Sequence, residues 1–458
     1  MISQQPPSDY RHQINHPLLQ SVPAEARRIL EVGCGEGRLG QMLKLLNPNR
    51  SVYGIDLDLE AVTCAQEHLD QAYCFSVEEE LPPLEPGSLD CILFGDILEH
   101  LVDPETVLGR YRDLLCSSGS ILCSVPNVQH HSILRGLLRG DFQYQPHGLL
   151  DATHLRFFTW STMIKMLLDT GFAPTIVHRI TSPASPSFYQ ALLPLFNELG
   201  LSPGRAQRYL DTYQYILRGD RLSAPETGSQ PFTFVVAVSD PEVLESCFLR
   251  SPCLEGDSPH QVVLAHNPQH AAEAITQGLK QAEHSWVIFA HQDVYLPQGW
   301  PEQFTQQLNQ AKDQGLSVGV AGVFGMARTK DQVQTAGQVV DREQILRGKP
   351  GLPALVESLE ELLLALPGDT TLRPDPALGF HWYGADLCCQ ARQAGLQAVA
   401  LEALCFHHSQ TVQLPDAFYA SARVFARKWK ELLPIQAPCA RIEADGTVIE
   451  PRPAPLPS

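Results

Sequence analysis

The sequence lacks several features that would mark whole classes of protein. Its 12 cysteines include no Cys-x-x-Cys pair, which argues against a zinc site and favours reduced thiols in a cytoplasmic protein. Lys and Arg form no cluster and the net charge is −18, so we expect no nucleic-acid partner. Residues 1–17 lack the apolar core of a signal peptide, and no apolar run could span a bilayer. Peripheral membrane contact stays compatible with this composition.

A chain of 458 residues is too long for one ordinary core, so we expect two or three domains. Short apolar runs alternate with helical patterns in both halves, which predicts an α/β protein with two doubly wound sheets. The halves are separated by a helical pattern that includes 205–217 and by a run rich in Gly, Ser, Pro and Thr. The predicted division is a first domain over 1–183, a helical extension and linker over 184–230, a second domain over 231–435, and a loosely ordered, proline-rich tail over 436–458.

A glycine-rich loop follows the first predicted strand. Gly33, Gly35 and Gly37 allow a sharp turn and a close approach of the backbone to a ligand. Asp56 stands at the end of the next strand, where a carboxylate can accept hydrogen bonds from both hydroxyls of a ribose. The two features predict a nucleoside-containing cofactor. The same loop also satisfies the G-x-G-x-x-G pattern, so NAD remains an alternative for this domain.

The wider context favours one cofactor. The run Ile29–Gly37 resembles motif I of the class I S-adenosylmethionine (SAM)-dependent methyltransferases. Leu89–Leu101 resembles the fourth-strand motif of the ubiquinone-type branch of that family. The resemblance implies a Rossmann-like domain that binds SAM. It also implies the following roles: Glu31, Gly33, Gly35 and Gly37 at the methionine part, Asp56 at the ribose, Glu78 beside the adenine, and Asp96 near the sulfonium.

Methyl transfer to a hydroxyl group also needs a base whose pKa lies near the operating pH. Histidine is the natural choice for that role. His100 follows the fourth-strand motif, and His154 lies in a segment often seen in relatives that act on sugars or lipids. We therefore predict His100 and His154 as candidate catalytic residues, although either one can equally be structural.

A second group of polar residues lies in the other half of the chain. His291-Gln292-Asp293 follows a predicted strand, where an acid can hold a divalent cation that bridges a diphosphate. His407 and His408 follow a later strand and can complete the coordination. Asp386 stands in the first turn of a predicted helix, whose dipole favours the ionised carboxylate that a general base requires.

This constellation resembles the GT-A glycosyltransferases of family 2, in a branch where His-Gln-Asp replaces the usual Asp-x-Asp. The resemblance implies Asp293, with His291 and His407 or His408, as ligands of Mn²⁺ or Mg²⁺, and Asp386 as the base of an inverting transfer. Two departures count against it. The motif holds only one acid, and His266-Asn267 stands where relatives hold the nucleotide base. A non-catalytic module that binds a glycan or a partner is therefore the alternative.

Together these patterns predict a bifunctional enzyme of glycan biosynthesis. Its first domain would methylate a hydroxyl, on a sugar, and its second would transfer a sugar from a nucleotide donor. The expected partners are a nucleotide sugar and a small-molecule, glycan or glycolipid acceptor. The fusion of two such domains motivates the shared substrate, and that inference is one of association.

Overall fold

The computed structural model describes residues 14–223, 228–329, 332–348, 351–409 and 414–450. The chain divides into two compact units, Met1–Ser223 and Ala224–Ser458. Residues 1–13, part of the expected linker (224–227) and the end of the expected tail (451–458) lie outside the described residues.

The described part of the first unit, residues 14–223, forms one sheet flanked by helices. Its parallel strands follow the apolar runs of the sequence, because strands covered on both faces are apolar throughout. The strands are β1 (Arg28–Val32), β2 (Ser51–Asp56), β3 (Gln71–Cys74), β4 (Leu89–Gly95), β5 (Leu115–Pro126), β6 (Phe172–Thr181) and β7 (Thr212–Arg221). The helices are α1 (His16–Ser21), α2 (Arg38–Leu46), α3 (Leu59–Ala65), α4 (Pro104–Arg112), α5 (His131–Leu138), α6 (Trp160–Asp169), α7 (Pro186–Glu198) and α8 (Pro203–Asp211).

The strand order in this sheet is β3-β2-β1-β4-β5-β7-β6. Strands β1 to β5 are parallel, and β7 runs antiparallel to both of its neighbours. The order reverses next to β1, so the loop after β1 opens into the crevice where ligands bind in sheets of this kind. Val32 pairs with Ile55, which brings the glycine loop beside Asp56.

The segment predicted as a helix over 205–217 is helical only to Asp211. Thr212–Arg221 is instead strand β7, which pairs with β5 and β6. Tyr215, Ile216 and Leu217 are consecutive and buried, as expected for a strand covered on both faces. Pairing on both edges overrides the helical pattern, because each edge of the strand supplies backbone hydrogen bonds. The prediction of a helical extension was therefore wrong for this stretch.

The described residues of the second unit form three sheets. Its strands are β8 (Thr233–Val238), β9 (Gln261–His266), β10 (Trp286–His291), β11 (Val294–Tyr295), β12 (Val318–Gly322), β13 (Phe324–Arg328), β14 (Val333–Asp341), β15 (Gln344–Arg347), β16 (Ala354–Leu355), β17 (Ser358–Leu359), β18 (Leu363–Pro367), β19 (Gln397–Ala400), β20 (Phe406–His407), β21 (Ile435–Gln436), β22 (Arg441–Ile442) and β23 (Val448–Ile449). The helices are α9 (Pro241–Ser246), α10 (Ala271–Gln281), α11 (Trp300–Asp313), α12 (Tyr383–Gln393) and α13 (Asp416–Lys428).

The main sheet of this unit has the order β16-β19-β12-β18-β10-β8-β9. Strands β8, β9 and β10 are parallel, whereas β18 runs antiparallel to β10 and β12. A second sheet has the order β11-β20-β14-β13-β17, with β15 paired to β14. Apolar side chains of β8, β10 and β18 form a core with Trp300 and Phe304 of α11. This core fixes the strand ends that carry the polar residues.

The beginning of the expected tail is ordered. Strands β21, β22 and β23 form a small antiparallel sheet. Ile435 and Ile442 are buried against Trp382, Phe418 and Phe425. The prediction of loose order was therefore wrong up to residue 450, because these apolar side chains cover α13. Across the described ranges, no helix combines the length and apolar character needed to cross a membrane.

This packing predicts that the small sheet stabilises the second unit. Ile442 is fully buried, whereas Ile449 on the neighbouring strand is 49% exposed. We expect Ile442→Ala to lower the free energy of unfolding by about 2–4 kcal/mol, because it leaves a cavity. Ile449→Ala should cost less than about 0.5 kcal/mol. Denaturant unfolding of both variants checks this, and equal losses would contradict the packing.

Candidate active sites

The glycine loop and Asp56 form the first site. Gly33, Gly35 and Gly37 have φ angles of 73°, 50° and 75°, which residues other than glycine rarely adopt. The Gly35 amide donates to Asp56 Oδ2 at 2.8 Å, and the Asp58 amide donates to Oδ1 at 3.0 Å. A carboxylate has about four acceptor positions, so Asp56 can still accept two ribose hydroxyls. The geometry fits a nucleoside cofactor at this edge of the sheet.

Asp96 lies just beyond β4 in a left-handed conformation, with φ of 57°. Its carboxylate accepts from Ser124 Oγ at 3.0 Å, from Asn15 Nδ2 at 3.4 Å and from the Gln214 side-chain amide. Burial raises the pKa of Asp96 to about 6, although the three donors lower it. The donors come from β5, the start of α1 and β7, so the tertiary fold fixes this carboxylate.

Two acids that were assigned to the cofactor are bonded to the backbone. Glu31 is buried, and its Oε2 accepts from the Gly40 amide in α2 at 3.1 Å. Glu78 Oε1 accepts from the amides of Val102 and Asp103 at 2.9 and 3.0 Å. Both carboxylates therefore hold loops beside the crevice, and their contacts with a cofactor stay predictions.

The structure brings His100 and His154 together, with ring centroids 4.8 Å apart. His100 Nδ1 lies 3.2 Å from the Thr153 carbonyl oxygen, and His154 Nδ1 lies 3.3 Å from that of Leu149. A carbonyl only accepts, so each Nδ1 carries a proton and each Nε2 keeps its lone pair. Burial lowers the pKa of both rings, which keeps them neutral near pH 7.

Glu99 completes this cluster. Its carboxyl is buried, and Oε2 has no hydrogen-bond partner within the described residues. Burial raises its pKa well above 4.5, and Asp96 raises it further. One ligand atom each from Glu99, His100 and His154 lies within 4.8 Å of the others. The trio can accept a proton or hold a divalent cation.

The second site is assembled by strand pairing. β20 lies between β11 and β14, so His407 is opposite Val294 on one side and Asp341 on the other. His291 ends β10, and its ring centroid is 5.6 Å from that of His407. Ligand atoms of His291, Asp293 and His407 lie within 4.8 Å of one another. The side chains of three residues predicted as cation ligands thus lie close together at one site.

The chemistry of these donors fits a divalent cation. The Tyr383 hydroxyl donates to the Glu361 carbonyl at 2.9 Å, so its oxygen accepts from His291 Nε2 at 3.1 Å. His291 Nδ1 therefore keeps its lone pair. Burial lowers the pKa of His291 to about 4, so the ring is neutral and able to bind a metal near pH 7.

His407 lies between two carboxylates. Its Nδ1 is 2.9 Å from Asp341 Oδ1, and its Nε2 is 3.5 Å from Asp293 Oδ1. Burial lowers the pKa of His407, but the two carboxylates outweigh it and raise the pKa to about 10. Burial opposes ionisation of Asp293, yet both imidazoles hold its pKa well below the usual range. Such an Asp–His pair orients a metal-ligating imidazole in many metal sites, with Asp341 here as the outer carboxylate.

His408 lies outside this cluster. Its amide donates to the Asp293 carbonyl at 2.8 Å, and its ring stacks on Phe406. Neighbouring residues on a strand point to opposite faces, so only one of His407 and His408 can face Asp293. The structure selects His407, and the assignment of His408 as a ligand is corrected accordingly.

The environment of Asp386 contradicts the base role predicted for it. Asp386 is fully buried on α12. Its carboxylate accepts four donors: Trp429 Nε1 at 2.7 Å, Lys428 Nζ at 2.7 Å, the Asp375 amide at 3.0 Å and Gln390 Nε2 at 2.8 Å. A base must touch the acceptor hydroxyl, and this carboxylate has neither a solvent face nor a free acceptor position. Asp386 instead ties α12 to α13.

Comparison with known proteins agrees with both units. Residues 7–177 match the family model of a methyltransferase domain, and residues 233–429 match a glycosyltransferase-like family. The chain carries a methyltransferase domain followed by a glycosyltransferase-like domain. These assignments confirm both resemblances and the α/β class of each half.

Relatives and solved structures match the methyltransferase part. A ubiquinone biosynthesis O-methyltransferase from Cupriavidus pinatubonensis is 29% identical over 32% of this chain and 59% of its own length. An uncharacterized 37.1 kDa protein in transposon TN4556 from Streptomyces fradiae is 30% identical over 36% of this chain and 48% of its own. A SAM-dependent methyltransferase from Archaeoglobus fulgidus has 18% identity and a TM-score of 0.31, covering 43% of this chain and 87% of that one. The chain thus spans about half to three-fifths of the two curated relatives.

The sequence patterns missed three polar residues that the structure places at the two sites. Gln214 reaches Asp96 from β7, the strand that was predicted as a helix. Glu99 belongs to the fourth-strand motif, but its burial was not visible there. Asp341 ends β14 of the glycosyltransferase-like domain, and only pairing with β20 brings it to His407. An acid at the end of an apolar strand was the one available signal for Asp341.

The buried Glu31 of the methyltransferase domain predicts a pH dependence of stability. Burial raises the pKa of Glu31 from 4.5 to about 8. The hydrogen bond from the Gly40 amide lowers this pKa, and the nearby Asp56 carboxylate raises it further. The folded state then retains a proton that the unfolded chain releases above 4.5, so stability falls as the pH rises from 4.5 to 8. We expect Glu31→Gln to reduce this fall in ligand-free protein, measured by denaturant unfolding across that range.

Glu25→Gln is the matched control, because Glu25 is exposed in the same domain. It should keep the wild-type dependence on pH. An unchanged fall in Glu31→Gln would mean that Glu31 does not retain the proton.

Proposed function

We propose that this chain is a two-domain transferase of glycan biosynthesis. Its methyltransferase domain transfers a methyl group from SAM to a hydroxyl, and its glycosyltransferase-like domain transfers a sugar from a nucleotide donor with inversion. The observation that carries the proposal is that each domain has its own polar cluster, Glu99–His100–His154 in one and His291–Asp293–His407 in the other.

The methyltransferase cluster suits an oxygen acceptor. Bound SAM would supply an electrophilic methyl group on a sulfonium. Asp56 would bind its ribose through the two remaining acceptor positions of the carboxylate. His100 and His154 each keep a lone pair on Nε2, and either nitrogen can take the proton of the attacking hydroxyl. The fold itself chooses no acceptor, and a sugar is proposed because the partner domain handles sugars.

The second cluster suits a nucleoside diphosphate leaving group. His291 through Nδ1, Asp293 and His407 through Nε2 would hold Mn²⁺ or Mg²⁺. The cation would supply positive charge to the leaving diphosphate. Because His407 is protonated at neutral pH without a cation, binding must release that proton. Asp341 keeps the other ring nitrogen fixed throughout.

Cofactor binding tests the first half of the proposal. We expect S-adenosylhomocysteine to bind the protein and Asp56→Ala to weaken its affinity about 10- to 100-fold, because hydrogen bonds to a charged carboxylate are lost. Isothermal calorimetry measures this. Glu67→Ala, an exposed acid of the same domain, is the control. Stabilisation by NAD and none by S-adenosylhomocysteine would instead support a dinucleotide site.

Cation binding and donor cleavage test the second half. We expect Mn²⁺ to bind with a release of protons and to support nucleoside diphosphate formation from at least one of a panel of UDP-, GDP- and dTDP-sugars. Asp293→Asn should weaken Mn²⁺ binding at least about 100-fold and abolish donor cleavage, because an inner ligand is lost. Asp313→Asn changes an exposed acid of the same domain and should leave both intact.

A binding module is the second candidate for this domain. It is favoured by one observation, the burial of Asp386, which removes the predicted base. Mn²⁺ binding without cleavage of any donor would support that candidate against glycosyl transfer.

A further inference from the structure

The loss of Asp386 as a base leaves glycosyl transfer without a proton acceptor among the predicted residues. Inverting transfer to a hydroxyl needs one, because the acceptor must lose its proton as it attacks. The base has to lie beside the cation site and to be accessible. Among the described residues, a carboxylate has to meet both conditions to replace Asp386.

Glu361 meets them. It lies in the connection between β17 and β18. Glu361 is half-buried, whereas Asp386 is fully buried. Its carbonyl accepts the Tyr383 hydroxyl, whose oxygen is bonded to His291 Nε2. The carbonyl oxygen of the next residue, Leu362, accepts a hydrogen bond from the His291 amide at 2.9 Å. The Glu361 backbone is thus joined to a proposed cation ligand by two short hydrogen-bonded links.

The side chain of Glu361 is held in place by α12. Its Oε1 accepts the Gly384 amide at 3.0 Å, in the first turn of that helix. Residue 384 must be glycine for this contact. A Cβ there would lie 3.0 Å from Glu361 Cγ and 2.8 Å from the Leu359 carbonyl oxygen, closer than such contacts tolerate. The helix start is therefore shaped to receive the carboxylate of Glu361 from another segment.

We propose that Glu361 is the general base of the glycosyl transfer, an assignment that rests on the function proposed above. The acceptor O–H proton passes to the Glu361 carboxylate while the acceptor oxygen forms a bond to the anomeric carbon. The bond from that carbon to the diphosphate oxygen breaks, and its electron pair leaves with the nucleoside diphosphate. Glu361 then returns the proton to water.

The environment of Glu361 suits this role. Burial and the neighbouring Glu360 raise its pKa, whereas the Gly384 and Tyr383 amides lower it. The net shift is upward, and a carboxylate with a raised pKa is a stronger base than an ordinary one. The dipole of α12, an 11-residue helix, stabilises the ionised form at its N-terminus.

The test uses the whole 458-residue chain with Mn²⁺ and the donor that wild type cleaves, with water as the acceptor. We expect Glu361→Gln to slow nucleoside diphosphate release about 100-fold or more, because general-base catalysis contributes on that order. The amide oxygen can still accept the Gly384 amide, so folding should be kept. Asp313→Asn changes an exposed acid of the same domain and should stay within about threefold of wild type in rate. Glu360→Gln changes the adjacent carboxyl, which interacts with His407, and should lose less activity than Glu361→Gln.

Two further measurements separate catalysis from structure. Azide is already an anion and needs no base, so it should restore diphosphate release in Glu361→Ala and yield a glycosyl azide, detected by mass spectrometry. Calorimetry should give Glu361→Gln the wild-type affinity for Mn²⁺. Loss of Mn²⁺ binding in that variant, or failure of azide to rescue Glu361→Ala, would overturn the assignment in favour of a structural role.

The outcomes also separate this assignment from the function on which it rests. Donor cleavage by wild type with little loss in Glu361→Gln would refute Glu361 alone, and a loss confined to Glu360→Gln would move the base to its neighbour. Absence of cleavage in wild type with every donor would refute the glycosyl transfer and Glu361 together.

Discussion

Both sites depend on strand pairing that brings the polar ends of separate strands to one edge of a sheet. In the first unit, β1 and β2 are parallel, so the glycine loop and Asp56 emerge side by side. In the second, the two residues of β20 join β11 to β14 and bring His407 between Asp293 and Asp341. A side chain points to one face or the other with a period of two, so a shift of one residue would exchange His407 for His408.

Burial at these strand ends sets the protonation of the side chains. Asp96 and His407 illustrate two outcomes of the same desolvation. Three neutral donors leave the pKa of Asp96 raised, whereas two carboxylates around His407 overcome burial and keep the ring charged. His291, which lacks a direct carboxylate contact of that kind, is neutral. The second cluster thus combines one charged and one neutral imidazole, and a cation would replace the proton of the first.

Local patterns were sufficient for much of the fold. The short apolar runs of the first half predicted strands, and β1, β2 and β4 are strands in the structure. Local patterns gave the wrong element for Thr212–Arg221, because its helical pattern competes with pairing to two distant strands. The residues after Pro434 were also predicted wrongly, for a related reason. Their prolines suggest a loose tail, but four buried apolar side chains pack on α13. Both errors arise where long-range contacts outweigh local propensity.

The sequence by itself determined the two domain families, the glycine loop with Asp56, and the histidines and Asp293 of the two clusters. Those features are local, since motif residues stand next to the strands that present them. Tertiary structure alone decided which carboxylates are accessible. Asp386 belongs to the first turn of α12, and Glu361 reaches that turn from the connection between β17 and β18. Lys428 and Trp429 of a distant segment enclose Asp386, whereas Gly384 leaves room for the side chain of Glu361. Accessibility depends on what packs against a side chain, and residues far apart along the chain supply that packing.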